Sequence, residues 1–402
     1  MEAIASNIFS QHINKPSLFK NKNILNSTFI PPKISFRDVE IEQAVSVLSP
    51  ALRNYKPNNI FIYGTCGTGK TVVVKYVLNQ LEALGKNNIK TVYVNCKMKR
   101  VADTEYRLLA CLLRELGVTV PDTGLPTDVL YRRFFEKVDS KQHIVLIVLD
   151  EIDTLFNKVG DEFLYNLIRI NNELKNAHIS IVGITNNLSF REGLDVRIRS
   201  SLGEEEILFK PYNAIQLKNI LSERIAEGFC ENVVSEDVLG RCAALAAQEH
   251  GDARRALDML RTAGELAERM GDTEITDTHV DLAEKKIDLD RVVETIKAQP
   301  KQSQAVLCAI MALEKQSNGK WSDSRLLTGN VFLKYKEIVK NNGLRALTQR
   351  RISDLIGELD MLGVITAKVI SKGRYGRTRE ISLAMADELK DKVKATLWER
   401  FL

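Results

Sequence analysis

The sequence predicts an α/β domain built on a parallel sheet, followed by a small all-helical unit and a basic C-terminal unit. Short apolar runs alternate with helical segments through the first half of the chain, which is typical of a parallel sheet covered by helices on both faces. Residues 144–149 form a continuous apolar run rich in β-branched side chains, as expected for a buried central strand. Alanine-rich stretches at 241–247 and 253–267 indicate the helical unit.

Local sequence patterns predict the positions of the individual helices and strands. Apolar residues recur at helical spacing over 37–48, which predicts an amphipathic helix before the sheet. We predict strands at 59–63, 91–94, 144–149 and 179–184, and helices at 70–84, 104–116 and 160–174. Residues 1–28 are polar and Asn-rich, and Pro31 and Pro32 follow them, so we expect a flexible arm there. The predicted domains are then the α/β domain over 29–203, the helical domain over 204–290 and the C-terminal domain over 300–402.

Composition narrows the class of protein. The 402 residues are 44% hydrophobic and 27% charged, as in ordinary globular proteins rather than disordered ones. No apolar stretch approaches the ~18 residues that a membrane span needs. The six cysteines form no C-x-x-C pair, so a zinc site or a disulfide framework is not expected. We therefore expect a cytoplasmic protein that does not use a membrane as a partner.

Positive charge is concentrated near the C-terminus. Residues 301–402 hold 19 Lys and Arg against 11 Asp and Glu, a balance of +8, whereas the first 300 residues hold 38 against 41, a balance of −3. This asymmetry suggests a polyanion-binding module attached to a near-neutral body. On charge alone, a merely solvated basic surface explains the same numbers equally well.

A phosphate-binding loop follows the first predicted strand. Residues 64–71 match the pattern G-x-x-x-x-G-K-[ST] in full, between a strand and a helix. The glycines let backbone N–H groups surround a phosphate, and the helix N-terminus adds its positive dipole. The candidate nucleotide-binding residues are Gly64, Thr65, Cys66, Gly67, Thr68, Gly69, Lys70 and Thr71. Lys70 is expected to reach the β- and γ-phosphates of ATP or ADP, and the Thr71 hydroxyl to bind Mg²⁺.

Acidic residues end the central strand. Asp150 and Glu151 follow the apolar run directly. Asp150 is expected to hold Mg²⁺ through its water shell, and Glu151 to orient and deprotonate the attacking water. A strand that ends in Asp-Glu is often only a solvated turn. The phosphate loop upstream favours the catalytic interpretation.

Two further polar residues are candidates for contact with the γ-phosphate. Asn186 and Asn187 follow the strand at 179–184, and we favour Asn186 for contact with the γ-phosphate and the water. An Asn pair at this place is otherwise a turn. Arg254 stands at the start of a helix in the helical unit, from which it could reach the phosphates and couple domain closure to the nucleotide. The alternative is a surface helix start capped by Asp252.

The C-terminal domain has the pattern of a winged helix. Two amphipathic helices are predicted at 302–315 and 329–341, and a third begins near Thr348 with a polar, basic first turn. Strands at 363–370 and 380–384 enclose a basic, glycine-punctuated hairpin tip. Such residues bind phosphates or enter a minor groove, whereas a lone basic hairpin would only aid solubility. The candidate DNA-binding residues are Gln349, Arg350 and Arg351 on the helix and Lys372, Arg374, Tyr375, Arg377 and Arg379 on the wing.

The order of these motifs resembles that of the AAA+ ATPases, specifically the archaeal origin-recognition initiators related to the eukaryotic origin recognition complex and its loading partner. The resemblance runs from about residue 29 to the C-terminus. Its most specific pieces are residues 59–64, 148–153, 183–186, 194–202, the turn at 209–212 and residues 251–255. It implies that Asn186 is the sensor-1 residue, that Arg254 is the sensor-2 residue and that Tyr212 belongs to the nucleotide site.

The resemblance also implies contacts outside the nucleotide pocket. An inter-subunit arginine finger would be Arg197 or Arg199, although Val196 stands where the family usually has proline. The family carries a DNA-contacting helical insertion that corresponds to about 116–134 here, so Arg132 and Arg133 are candidate DNA-backbone contacts. From their spacing alone, a plain loop is an equal alternative.

The resemblance thus implies a replication initiator with weak ATPase activity that uses ATP and Mg²⁺ as a switch. Its expected partners are duplex origin DNA, sibling initiator subunits and the replicative helicase, and its expected location is the cytoplasm at the nucleoid. Two other classes stay open. One is a transcription regulator that uses the same fold at promoters, and the other is a clamp-loader-like remodelling ATPase that works on protein partners.

Overall fold

The computed structural model describes residues 17–85, 88–98, 101–121, 124–160, 162–202, 204–317, 326–371, 377–385 and 387–401. The chain divides into two compact units, residues 1–283 and 284–402. Within the described ranges, no helix is both long enough and apolar enough to cross a lipid bilayer.

A five-stranded parallel sheet forms the centre of the first unit. Its strands are β1 (Ile60–Gly64), β2 (Ile89–Asn95), β3 (Ile144–Asp150), β4 (His178–Thr185) and β5 (Glu205–Phe209), in the order β2-β3-β4-β1-β5. All neighbouring strands pair in parallel. Every residue of β3 is buried, as the sequence predicts for a central strand. Because the strands run in parallel, Gly64, Asp150 and Thr185 end their strands at the same edge of the sheet.

Helices cover both faces of this sheet. They are α1 (Asp38–Leu48), α2 (Lys70–Gly85), α3 (Glu105–Glu115), α4 (Thr127–Val138), α5 (Ile152–Val159), α6 (Glu162–Arg169) and α7 (Val196–Leu202). Alternate residues of β3 enter two different buried clusters. Residues 144, 146 and 148 pack with α1 and α2, whereas residues 145, 147 and 149 pack with α3 to α6. This alternation is the two-layer covering that a parallel sheet requires.

Strand β5 lies in residues that the sequence predicts to belong to the helical domain. Among the strands of the described residues it pairs with β1 alone, from Ile60↔Glu205 to Gly64↔Phe209, and therefore forms an edge of the sheet. Ile207 and Phe209 are buried, whereas Glu205 and Leu208 are exposed. An edge strand with one buried face and an acidic start carries few apolar residues, so its sequence signal is weak.

The helical part of the first unit contains α8 (Ala214–Gly228), α9 (Glu236–Gln248), α10 (Ala253–Met270) and the first residues of α11 (Asp277–Ala298). Good N-terminal caps explain where these helices begin. Asn213 forms a capping box with Gln216, and Ser235 and Asp252 accept hydrogen bonds from the first turns of α9 and α10.

Residues 17–28, predicted as part of a flexible arm, pack against these helices. The Phe19 and Phe229 ring centroids lie 4.7 Å apart, and Leu25 is fully buried. Cys230 N–H donates to the carbonyl of Leu18, and Lys20 N–H donates to that of Gly228. Four apolar side chains in an otherwise polar segment are enough to dock it, because the helical part offers an apolar surface and backbone hydrogen-bond partners. Residues 1–16 lie outside the described residues.

The second unit comprises the rest of α11, α12 (Lys301–Ser317), α13 (Thr328–Asn341), α14 (Gln349–Met361), the strands β6 (Ile365–Ser371) and β7 (Arg377–Leu383), and α15 (Asp387–Phe401). β6 and β7 form an antiparallel hairpin. Thr348 caps α14 by accepting from Arg351 N–H, which places the basic residues in the first turn as predicted. The apolar face of α14 enters a core shared with α12, α13 and the hairpin. This is a winged-helix arrangement.

Candidate phosphate-binding site and nucleic-acid interface

The loop between β1 and α2 has the geometry of a phosphate cradle. Gly67 has a φ of +72°, and a Cβ on it would lie 1.7 Å from Asp252 Oδ1. Gly69 has a φ of +89°, and a Cβ there would lie 2.9 Å from the Tyr212 hydroxyl. Only glycine combines this backbone conformation with such close neighbours. The loop is thus held between α2 and residues that begin the helical part.

Lys70 is buried within this loop. Its Nζ donates to the carbonyls of Gly64 (2.8 Å) and Thr65 (2.7 Å). Burial and nearby Arg254 lower the pKa of Lys70 to about 8, although Cys66, Asp150 and Glu151 act in the opposite direction. A bound phosphate would place negative charge beside the buried Lys70 ammonium and stabilise it, so the loop is suited to bind an anion.

Asp150 lies at the end of β3, beside the first turn of α2. The hydroxyls of Thr71 (2.9 Å) and Tyr93 (2.5 Å) both donate to its Oδ2 atom. Burial and this bond to Asp150 raise the pKa of Tyr93, so the phenol stays protonated. The side chains of Thr71 and Asp150 form the hydroxyl and carboxylate donor set that suits Mg²⁺ beside phosphates. Tyr93 was not predicted as a site residue.

Glu151 and Asn186 face each other next to the loop. Asn186 Nδ2 donates to Glu151 Oε1 at 2.7 Å. Glu151 has a φ of +58°, an uncommon conformation for a residue other than glycine and one that marks functional sites. Asn187 instead accepts from the backbone and hydroxyl of Ser189, as in a turn. The structure therefore brings Asn186, and not Asn187, to the acidic pair.

The start of α10 contacts the phosphate loop directly. Ala253 N–H donates to Gly67 O at 3.2 Å, and Arg254 Nη1 lies 3.9 Å from Cys66 Sγ. Arg254 lines one cavity with the loop, Lys70, Thr71, Tyr93, Asp150, Glu151 and Asn186. Its neighbour Arg255 is nearly buried and pairs with Glu249 at 2.7 Å. The alternative interpretation was a surface helix start capped by Asp252. Asp252 does cap α10, but Arg254 also faces the phosphate loop.

A second cavity, of about 340 Å³, also borders the loop. Gly67, Gly69 and Arg254 line both this cavity and the phosphate cavity. Tyr212, the segment at 26–35 and helix α8 form the rest of its wall. Its lining is mostly apolar, with Glu223, Arg224 and Glu227 at the helix side. A cavity of this size beside a phosphate cradle suits a nucleoside.

Arg37 is a second residue that the sequence did not reveal. Its guanidinium is 4% exposed and lies 4.0 Å from the centroid of the Tyr212 ring. Nε donates to Thr68 O and to the Tyr212 hydroxyl, both at 3.0 Å, and Nη2 donates to Lys210 O at 2.6 Å. Nη1 pairs with Glu40 at 2.7 Å. Arg37 thereby fixes the loop to the segment that leads into α8. Its position at the start of a predicted helix gave no sign of this.

The two candidate finger residues do not line the phosphate cavity of this chain. Arg197 is 69% exposed, pairs with Asp195 at 3.1 Å and lies 5.2 Å from the Tyr165 ring centroid. Arg199 is half-buried on α7. That one of them acts on the nucleotide of another subunit stays a prediction, as does the choice between the two.

The basic residues of the predicted insertion lie on a helix rather than in a loop. Arg132 and Arg133 are exposed on α4, where Phe134 anchors the helix in the core. Arg132 lines a groove with Arg169 and Tyr131. The α4 surface therefore offers positive charge to a polyanion, and its role in DNA binding stays a prediction.

In the second unit, the first turn of α14 faces the wing strands across a groove. Gln349, Arg350 and Arg351 are exposed there, and Gln349 and Arg350 line the groove with Arg379. Arg379 Nη1 donates to Ser353 O at 2.7 Å, so part of this guanidinium is bound to α14. The predicted wing-tip residues Lys372, Arg374 and Tyr375 lie outside the described residues, as does the side chain of Arg377.

The first unit combines a parallel sheet, a phosphate loop, an acidic strand end and an arginine from the helical part, and the second unit is a winged helix. These features define an AAA+ protein with a C-terminal winged-helix domain, in which the helical part is the lid. Profile comparison agrees. An AAA domain matches residues 53–191, a Cdc6 AAA+ ATPase-type lid domain matches 218–285, and the CDC6 C-terminal winged-helix domain matches 294–392.

Whole-chain relatives specify the family. The ORC1-type DNA replication protein 1 of Sulfurisphaera tokodaii is 46% identical over 407 residues, covering all of both chains. The ORC1-type DNA replication protein of Pyrococcus furiosus is 49% identical, over 94% of this chain and 89% of the relative. The structure of Aeropyrum pernix ORC1 in complex with DNA has a TM-score of 0.80 and 42% identity, over 95% of this chain and 97% of that one. The chain belongs to the ORC1-type DNA replication proteins, the archaeal Orc1/Cdc6 initiators.

Proposed function

We propose that this initiator binds ATP or ADP with Mg²⁺ between its sheet domain and its helical lid, and that the nucleotide is the switch for binding duplex origin DNA. The main support is the contact between Gly67 in the loop and Ala253 at the start of α10. A phosphate in the loop would meet groups from both domains. Loss of the γ-phosphate would remove one partner of Arg254 and favour a different lid position.

The side chains fit this nucleotide. Lys70 would exchange its loop carbonyls for the β- and γ-phosphates, and Thr71 and Asp150 would hold Mg²⁺, which neutralises phosphate charge. Glu151 would orient and deprotonate the attacking water, with Asn186 beside it, and Tyr212 would border the nucleoside. Hydrolysis would be slow, because Glu151 is already bound to Asn186 and must be released first.

A neighbouring subunit would complete the catalytic site. Arg197 and Arg199 stand away from the phosphate cavity of their own chain, so a sibling initiator would supply the finger in trans. Such a finger can raise the rate by about 10³-fold or more. The nucleotide state would thereby depend on whether the subunits are assembled. The assembled form would recruit and load the replicative helicase.

DNA would be held by the second unit, with α4 of the first unit as a further contact. The first turn of α14 would enter the major groove, and the basic wing would bind phosphates or a minor groove. Each phosphate that these residues neutralise would add about −0.9 to the log–log salt slope. The Aeropyrum relative was solved in complex with DNA, which supports this role.

The test is genome-wide occupancy of the native protein, compared with Lys70→Ala and Arg374→Ala variants. Lys297→Ala, which removes an exposed positive charge on α11, is the matched control. We expect discrete peaks at replication start sites, weakened by Arg374→Ala and unchanged by Lys297→Ala. Altered occupancy in Lys70→Ala would support the nucleotide switch, and unaltered occupancy would count against it.

Two outcomes would favour other functions. Peaks confined to promoters would indicate a transcription regulator with the same fold. The absence of any peaks, together with turnover stimulated by a sliding clamp, would indicate a remodelling ATPase and would refute the DNA-centred proposal.

A further inference from the structure

Tyr93 approaches the metal-binding carboxylate from a neighbouring strand. It lies on β2, where it pairs in register with Val148 of β3, two residues before the end of that strand. Its ring packs beneath Lys75, whose Nζ lies 4.2 Å from the ring centroid. Its hydroxyl reaches past the strand end to donate to Asp150 Oδ2. Neither the loop motif nor the acidic motif includes this residue.

Tyr93 and Thr71 donate to the same oxygen of Asp150. If the Thr71 hydroxyl were to bind a metal ion instead, Tyr93 would be the donor that still holds Asp150 Oδ2. Asp150 is 5% exposed, so water cannot easily replace a lost donor. A carboxylate fixed at Oδ2 cannot rotate freely, so it would hold Mg²⁺ in one orientation.

We propose that Tyr93 is a positioning residue for the divalent cation, and that its hydroxyl fixes the Asp150 carboxylate in the orientation that binds Mg²⁺ beside the phosphates. The proposal rests on the proposed nucleotide function. Hydrogen-bond partners of metal-binding groups typically contribute about 10- to 100-fold to metal affinity. Tyr93 therefore acts on the metal and not on the phosphate loop, which it does not contact through any hydrogen bond within the described residues.

The experiment separates metal binding from nucleotide binding. Tyr93→Phe removes the hydroxyl and keeps the ring. Affinity for a fluorescent ADP is measured in EDTA, and Mn²⁺ affinity of the ADP-bound protein is then measured by electron paramagnetic resonance. Tyr76→Phe is the control, because Tyr76, on α2, is another partly buried tyrosine packed on the same core as Tyr93. We expect Tyr93→Phe to weaken Mn²⁺ binding by roughly 10- to 100-fold, with ADP affinity in EDTA unchanged within about twofold.

A double-mutant cycle distinguishes positioning from a general structural role. In an Asp150→Asn background, Tyr93→Phe should change Mn²⁺ affinity by no more than about twofold, because its target is already altered. Wild-type Mn²⁺ affinity in Tyr93→Phe, or an equal loss in the Asp150→Asn background, would overturn the proposal. If the wild-type protein bound no ADP in EDTA or in Mn²⁺, the proposed nucleotide function would itself fail, and this proposal with it.

Discussion

The depressed pKa of Lys70 makes nucleotide affinity depend on pH in a direction that can be worked out. In the free protein, burial lowers this pKa to about 8, and a bound diphosphate should return it toward the ordinary 10.5. Above pH 8 the free lysine is neutral, so binding ADP must take up a proton. Affinity should therefore fall as pH rises through 8, by as much as tenfold per pH unit.

The size of this effect follows from the same two values. A lysine with a pKa of about 8 is about 90% charged at pH 7 and about 10% charged at pH 9, so ADP affinity should fall about tenfold between them. The fall is bounded by the difference between 8 and 10.5, about 300-fold at high pH.

Fluorescent ADP titrations in EDTA from pH 6.5 to 9.5 test this prediction. Lys70→Arg is the control, because a guanidinium stays charged throughout this range. We expect the fall in affinity in the wild-type protein and a flat profile in Lys70→Arg. A flat wild-type profile, or the same fall in both proteins, would refute the assignment of the proton to Lys70.

Three further substitutions test other parts of the structure. Gly67→Ala should weaken ADP binding at least tenfold in the same titration, whereas Gly117→Ala, at a φ of +80° with nothing within 4 Å, should not. Leu25→Ala should lower the free energy of unfolding by about 2–5 kcal/mol in denaturant melts, and a loss below 1 would show that the N-terminal segment is not docked. Arg379→Ala should weaken DNA binding with little change in the salt slope, because its guanidinium is bound to α14. Arg350→Ala should instead reduce the magnitude of the slope by about 0.9. Equal changes of slope in the two variants would contradict the contact of Arg379 with α14.

Sequence patterns found the features that depend on spacing along the chain. The phosphate loop, the acidic end of β3 and the capped start of α14 are each set by residues within about one turn or strand of one another. The central strand was equally clear, because seven consecutive buried residues leave a long apolar run. These features agree with their predicted positions because local chemistry is enough to specify them.

Features that depend on distant partners were missed. Nothing near Tyr93 shows that its hydroxyl meets a carboxylate 57 residues later. The edge strand β5 and the docked segment at 17–28 each contribute few apolar residues, and both are stabilised by surfaces formed elsewhere in the chain. For Tyr93 the sequence offers only an indirect sign, which does not identify its partner: polar residues at 93 and 95 end a strand that a parallel sheet brings beside the acidic one.

The contacts of Arg37 have a consequence for the order in which a newly made chain becomes competent. The Arg37 guanidinium joins the loop carbonyl of Thr68 to Lys210 and Tyr212. These two residues follow Arg37 by 173 and 175 positions in the chain. When only the phosphate loop has emerged from the ribosome, the residues that fix the conformation of this loop have therefore not yet been synthesised. Nucleotide capture during synthesis should begin only after residue 212 has emerged, when β5 closes the sheet and Tyr212 covers the buried arginine.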